Sequence, residues 1–158
     1  MSCIVPIAAC IIKKDGKIVF IRRTKPPFEG LLSLPGGKIE FGETIEDTAT
    51  REMKEETDIS SRFVRYLATV PEHIIENGRI VAHFLIHLCE LEYIKSGDDR
   101  EFEPVWIRMN EVENFRDKMT PSDYLMIKRI LFSEKPKSHY SLIEKSGNEY
   151  IQKEFREL

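Results

Sequence analysis

Asn77-Gly78 lies between two long runs, residues 62–75 and 79–93, both rich in β-branched, aromatic and other apolar residues. An Asn-Gly pair in that setting favours a two-residue turn with positive φ at both positions, whose twist matches that of paired strands. The chain is therefore committed near its middle to a long antiparallel hairpin, and the rest must pack around that sheet. A second hairpin is signalled at Asp15-Gly16, between residues 4–13 and 17–23.

The remaining elements are shorter. Residues 24–30 read as a loop, because Pro26 and Pro27 cannot join a strand ladder. Residues 31–34 suit a short strand that ends at Pro35, and 104–108 another. Helices are expected over 44–59, briefly over 110–115, and from Thr120 to about residue 132, with Pro121 in the first turn. Strands and helices alternate irregularly, which predicts an α/β or α+β fold with a mixed sheet. One domain is expected over residues 1–133, followed by a tail over 134–158. Tyr150, Ile151, Phe155 and Leu158 recur there at roughly helical spacing, so the tail reads as a helix docked on the body or on a second subunit, which leaves a homodimer open.

Charge and cysteine content narrow the class of function. A formal net charge of -3 gives no bulk attraction to nucleic acid polymers or to anionic membranes. The apolar start, residues 4–12, is too short to span a bilayer and suits a buried strand. Cys3, Cys10 and Cys89 are too few and too scattered for a disulfide framework or a zinc site. A soluble cytoplasmic protein is the expectation.

The helix expected at 44–59 carries the unusual chemistry. Thr44 suits the N-cap, with Glu46 and Asp47 in the first turn. Ile45, Ala49 and Met53 trace the core-facing stripe. Glu52, Glu55 and Glu56 then fall at i, i+3 and i+4, so three carboxylates are neighbours. Like charges at that spacing cost only about 0.2–0.5 kcal/mol per pair, which a solvated face tolerates. Glu52, however, borders the apolar stripe, where an unpaired carboxylate is costly and a hard divalent cation would relieve it. Gly36, Gly37 and Gly42 let the backbone approach a ligand just upstream, and Arg51 could fix a carboxylate's orientation.

This stretch resembles the Nudix box. Gly37 is followed after five residues by Glu43, and after seven more by Arg51-Glu52. Met53, the pair Glu55-Glu56 and Ile59 complete the pattern, so eight of its nine fixed positions match across twenty-three residues. Asp58 stands where the family has glycine. The resemblance covers roughly residues 4–132 and implies a mixed sheet sandwiched between helices. It implies hydrolysis of the pyrophosphate bond of a nucleoside diphosphate derivative. Glu52, Glu55 and Glu56 would bind Mg²⁺ or Mn²⁺, joined by the Gly36 carbonyl. Glu43 would support the metal–water network, and Arg51 would orient the glutamates. The general base in this family is a box glutamate or an acid on a distant loop, which makes Glu101 and Glu103 candidates. Arg22, Arg23 and Phe28 are expected near the mouth of the site, for phosphate contact and for stacking on a base or ribose. The proline-rich loop before the box is similar to loops of ADP-ribose and nucleotide-sugar hydrolases. The alternative is a MutT-like clean-up enzyme for oxidised nucleotides such as 8-oxo-dGTP, and beyond it a nucleotide-sensing domain without catalysis.

Overall fold

The structure, a computed structural model, describes residues 2–133 and 135–158. The hairpin at Asn77-Gly78 dominates it. Strands β5 (Ile59–Glu76) and β6 (Arg79–Ser96) pair antiparallel along their whole length, and both turn residues have positive φ. Strand β1 (Ile4–Lys14) lies parallel to β6, with Cys10 opposite Cys89. Strand β2 (Lys17–Arg22) joins β1 only at Lys13 and Lys14, then turns away to pair with β3 (Leu32–Ser33). The N-terminal half of the same β1 edge takes β4 (Gly36–Lys38) instead. Two partners thus share one edge, and a cleft opens where they diverge.

Helices cover both faces. Alternate residues of β1 point opposite ways. Ala8, Cys10 and Ile12 pack with Ala49 and Met53 of helix α1 (Ile45–Thr57) on one side. Ala9 and Ile11 join Met126, Ile127 and Ile130 on the other, where helix α2 (Pro121–Arg129) lies. The sheet is mixed and sandwiched between helices, as expected. Strand β7 (Val105–Arg108) pairs with β2 and leads into a 3-10 helix, Met109–Lys118, longer than the short helix expected at 110–115. Helix α2 ends earlier than expected.

The tail is not a helix. Strands β8 (Lys137–Ser146) and β9 (Glu149–Glu157) form a hairpin, with β8 parallel to β5 at the end of the sheet. The turn is Gly147-Asn148, with Gly147 at positive φ, and Gly-Asn is itself a hairpin signal. Only one apolar residue in two faces the body, so the 150, 151, 155, 158 spacing imitated a helical stripe. Phe155 enters the main core, and Tyr150 packs on Phe28 at 4.5 Å between ring centroids. The expected domain boundary falls at residue 134, which lies outside the described residues, as does Met1.

Candidate active site

Helix α1 begins where the sequence places it. Thr44 caps it and forms a reciprocal capping box with Asp47. It ends at Asp58, whose φ of 52° and ψ of 28° are left-handed, the conformation that a glycine adopts most easily. Between these ends, Arg51 organises the acids. Its guanidinium grips Glu43 twice, at 2.5 and 2.8 Å, and also donates to Glu52 at 2.8 Å, to Glu55 at 3.2 Å and to the Lys38 carbonyl at 3.2 Å. Glu43 accepts two further bonds, from Thr48 and from the Glu40 amide. The hydrogen bonds from Arg51 and Thr48 hold its carboxyl down at about 2. Both Glu43 oxygens hold Arg51, and Oε2 accepts from Thr48 and the Glu40 amide as well.

The three glutamates expected to bind metal differ in setting. Glu55 is exposed, Glu52 is half-buried and Glu56 is buried. The Glu56 carboxyl is pushed up to about 8, first by burial and then by the Glu52 charge, while the Gly36 amide pulls it partly back. Its Oε2 is buried without any hydrogen-bond partner. Burial likewise raises Glu52. Among the described residues, no three acidic, histidine or cysteine side chains are gathered tightly enough to hold an ion as they stand, and Arg51 engages Glu52 and Glu55. The Glu52 charge acts on Glu56, whose Oε2 has no partner. An all-oxygen, strongly negative, partly buried set suits a hard divalent cation.

Glu52 and Glu56 form one wall of a cleft of about 570 Å³, together with Gly36 and Gly37. Glu101 also lines it: the Glu101 amide donates to the Glu55 carbonyl at 3.3 Å, and the Glu101 charge raises both Glu52 and Glu56. Glu103 does not. It is exposed, binds Arg100 at 2.7 Å, and faces a separate depression near Lys14 and Trp106. Arg23 lines the cleft, donates to the Pro27 carbonyl at 2.6 Å, and its charge lowers Glu56 and Asp123. Arg22 points elsewhere, to the Gly30 carbonyl at 2.9 Å. Phe28 borders the cleft but is buried against Ile74, Ile143 and Tyr150, so its ring serves mainly as an anchor for the loop.

The structure adds an acidic pair that the sequence did not mark. Glu72 of β5 and Asp123 of α2 are buried in the same cleft. Glu72 accepts from Ser141 at 2.9 Å and is bonded to Ser122, and Asp123 accepts from the Leu34 amide at 2.8 Å. The nearby Ser33 hydroxyl is buried and unpartnered. Glu72 lies in a strand beside Pro71, and Asp123 in a first helical turn; neither pattern separates a cleft acid from a surface one. Burial raises Glu72 to about 7 and Asp123 to about 6.

These shifts have a sign in stability. Both carboxyls hold protons more tightly in the folded chain than in the unfolded one. Their contribution is full below the unfolded values and is lost as pH rises, through about 6 for Asp123 and about 7 for Glu72. The metal-free protein should therefore melt at a lower temperature near pH 8 than near pH 5, and Glu72→Gln should flatten that slope. A melting temperature that climbs steadily across this window in the wild type would contradict the protonated state of the pair.

With this geometry in place, comparison with known proteins identifies the class. The NUDIX domain family model matches residues 4–130, and the chain belongs to that family. The family acts on small nucleotide substrates and generally needs a divalent metal. The chain is 38% identical over 91 residues to an ADP-ribose pyrophosphatase of Methanocaldococcus jannaschii, which covers 56% of this chain and 53% of that protein. It is 34% identical over 85 residues to a CTP pyrophosphohydrolase of Escherichia coli, covering 53% and 58%. The chain thus matches little more than half the length of either relative. The fold is that of a mutator MutT protein from Bacillus halodurans, with a TM-score of 0.73 over 97% of both chains at 22% identity. Among the described residues, no helix is long and apolar enough to cross a membrane.

Proposed function

We propose that the chain is a metal-dependent hydrolase of the pyrophosphate bond in a nucleoside diphosphate derivative, with a nucleotide sugar such as ADP-ribose as its substrate. The observation that carries the chemistry is the orphaned, buried Glu56 Oε2 beside half-buried Glu52 in the cleft wall. Glu52, Glu55 and Glu56 would hold Mg²⁺ or Mn²⁺, which when bound neutralises phosphate charge and makes a water acidic enough to attack at neutral pH. Glu43 fixes Arg51, and Arg51 sets the resting orientation of Glu52 and Glu55. Arg23, which lines the cleft, would supply positive charge to the phosphates. Glu101, which also lines it, would accept the proton of the attacking water.

The nucleotide-sugar reading draws support from the archaeal relative and from the loop carrying Lys25, Pro26 and Pro27, which walls the cleft. A triphosphate substrate is the second reading. It is favoured by the CTP-hydrolysing relative, whereas Glu72, Asp123 and Ser33, whose acceptors suit the donor edge of a base, would serve either substrate. Retention of all three box glutamates argues against a purely sensory domain. Values of kcat/KM for ADP-ribose, UDP- and GDP-sugars, CTP and 8-oxo-dGTP, with Mg²⁺ or Mn²⁺ and with products resolved by chromatography, separate these readings. ADP-ribose should lead and yield AMP and ribose phosphate. A lead of tenfold or more by a triphosphate, about 1.4 kcal/mol in transition-state binding, would transfer the assignment to the second reading.

A further inference from the structure

We propose that Asp58, which replaces the glycine of the family box, is a positioning residue: its side chain clamps the loop after β6 and so sets Glu101 at the metal-side wall of the cleft. The inference rests on the reading of Glu101 as proton acceptor. The left-handed cap at position 58 would suit glycine better, so the helix end does not require this side chain. What the side chain contacts lies in the loop. Asp58 Oδ2 accepts from the Asp99 amide at 2.9 Å, and the Asp58 carbonyl accepts from the Gly97 amide at 3.0 Å. Asp58 Oδ2 also fills the space that a Cβ at Gly97 would need, so the loop can close on the carboxylate only because residue 97 is glycine. Lys54, one turn back on α1, pairs with the other carboxylate oxygen. The group is buried, which keeps water from competing for these bonds.

From that clamp the chain runs two residues to Glu101. The Glu101 amide then reaches the Glu55 carbonyl, and the Phe102 amide reaches the Glu56 carbonyl at 2.8 Å. These are carbonyls of the last turn of α1, which lack partners within the helix. The loop thus completes the end of the helix that bears Glu55 and Glu56, and Asp58 fixes where it starts. Arg100 bonds only within its own neighbourhood, to Gly97, Asp98 and Glu103, and ties the loop to itself rather than to the helix. Among the described residues, the Asp58 carboxylate is the side-chain hydrogen-bond link between loop and helix.

The test uses Asp58→Gly and Asp58→Asn in the full chain, alone and combined with Glu101→Gln, assayed with the best substrate of the panel above. Glycine keeps the left-handed cap, so the melting temperature should hold or rise while amide exchange across residues 97–102 accelerates tenfold or more. Turnover should fall by roughly 10–100-fold with KM little changed, the signature of a misplaced group rather than a lost binding contact. Asparagine keeps an oxygen for the Asp99 amide and should restore kcat to within about threefold of wild type. In the Glu101→Gln background, Asp58→Gly should add less than about twofold, since a clamp has nothing to position there. An Asp58→Gly enzyme with wild-type kcat, or an effect that multiplies fully with Glu101→Gln, overturns the positioning role while Glu101→Gln itself remains impaired. Full turnover by Glu101→Gln overturns the proton-acceptor reading and the positioning role together.

Discussion

Replacement of Glu56 by glutamine is expected to lower kcat by roughly 10²–10⁴-fold, about 3–5 kcal/mol of transition-state stabilisation, in a protein that remains folded. The amide keeps the shape and can still accept from the Gly36 backbone, but it removes the negative oxygen that has no partner in the protein. Glu55→Gln should fall in the same range, because it removes the exposed member of the same set. The Glu56 variant also has a signature in stability. Near neutral pH it no longer keeps a buried acid beside Glu52, so without metal it should melt no lower than the wild type. The wild type should gain melting temperature on adding Mg²⁺ and lose it again with chelator, and Glu56→Gln and Glu52→Gln should respond less. Steady-state kinetics at saturating Mg²⁺ together with thermal melts read both effects. Near-normal turnover by Glu56→Gln would remove this residue from the metal-binding set.

Alanine at two adjacent glycines should fail in opposite ways. At Gly37 a Cβ would run into the carboxylate of Glu52, closer than nonbonded atoms can approach. The obstructing group is the end of a flexible side chain, so Gly37→Ala should fold with nearly unchanged stability while Glu52 swings out. A loss of about 10²-fold in kcat is expected, since displacing a proposed metal ligand by an ångström is enough to misalign the reaction. At Gly36 the same methyl would meet the Ala8 carbonyl, which is backbone and cannot rotate away. Strands β1 and β4 would have to separate there, and a stability loss of about 3 kcal/mol is expected. Urea melts and turnover measured on both variants distinguish the two outcomes. An active Gly37→Ala would show that the Glu52 orientation is dispensable, and a fully stable Gly36→Ala would contradict the close approach of the two strands.

Local signals carried much of this fold. Asn77-Gly78 and Asp15-Gly16 turned where their residue types demand, and Thr44 capped the helix whose spacing brings Glu52, Glu55 and Glu56 together. The tail misled because Tyr150, Ile151, Phe155 and Leu158 also fit a helix, and the Gly147-Asn148 turn was the stronger local signal. Spacing on one helix placed the glutamates on one side, but could not rank their burial: Glu56, not Glu52, is the most enclosed.

The sequence by itself determined the hairpin turns at Asp15-Gly16 and Asn77-Gly78, the acidic helix and the family, because turns, caps and i, i+4 neighbours depend on residues close along the chain. Only the tertiary structure decided which distant groups share the cleft. Glu72 and Asp123 meet there from β5 and α2, Glu101 enters and Glu103 does not, and Arg22 turns away where Arg23 turns in. Strands diverge along the shared edge of β1, and a loop closes on the end of a helix to bring in Glu101. Contacts of that kind join residues far apart in the chain, so no local pattern in the sequence encodes them.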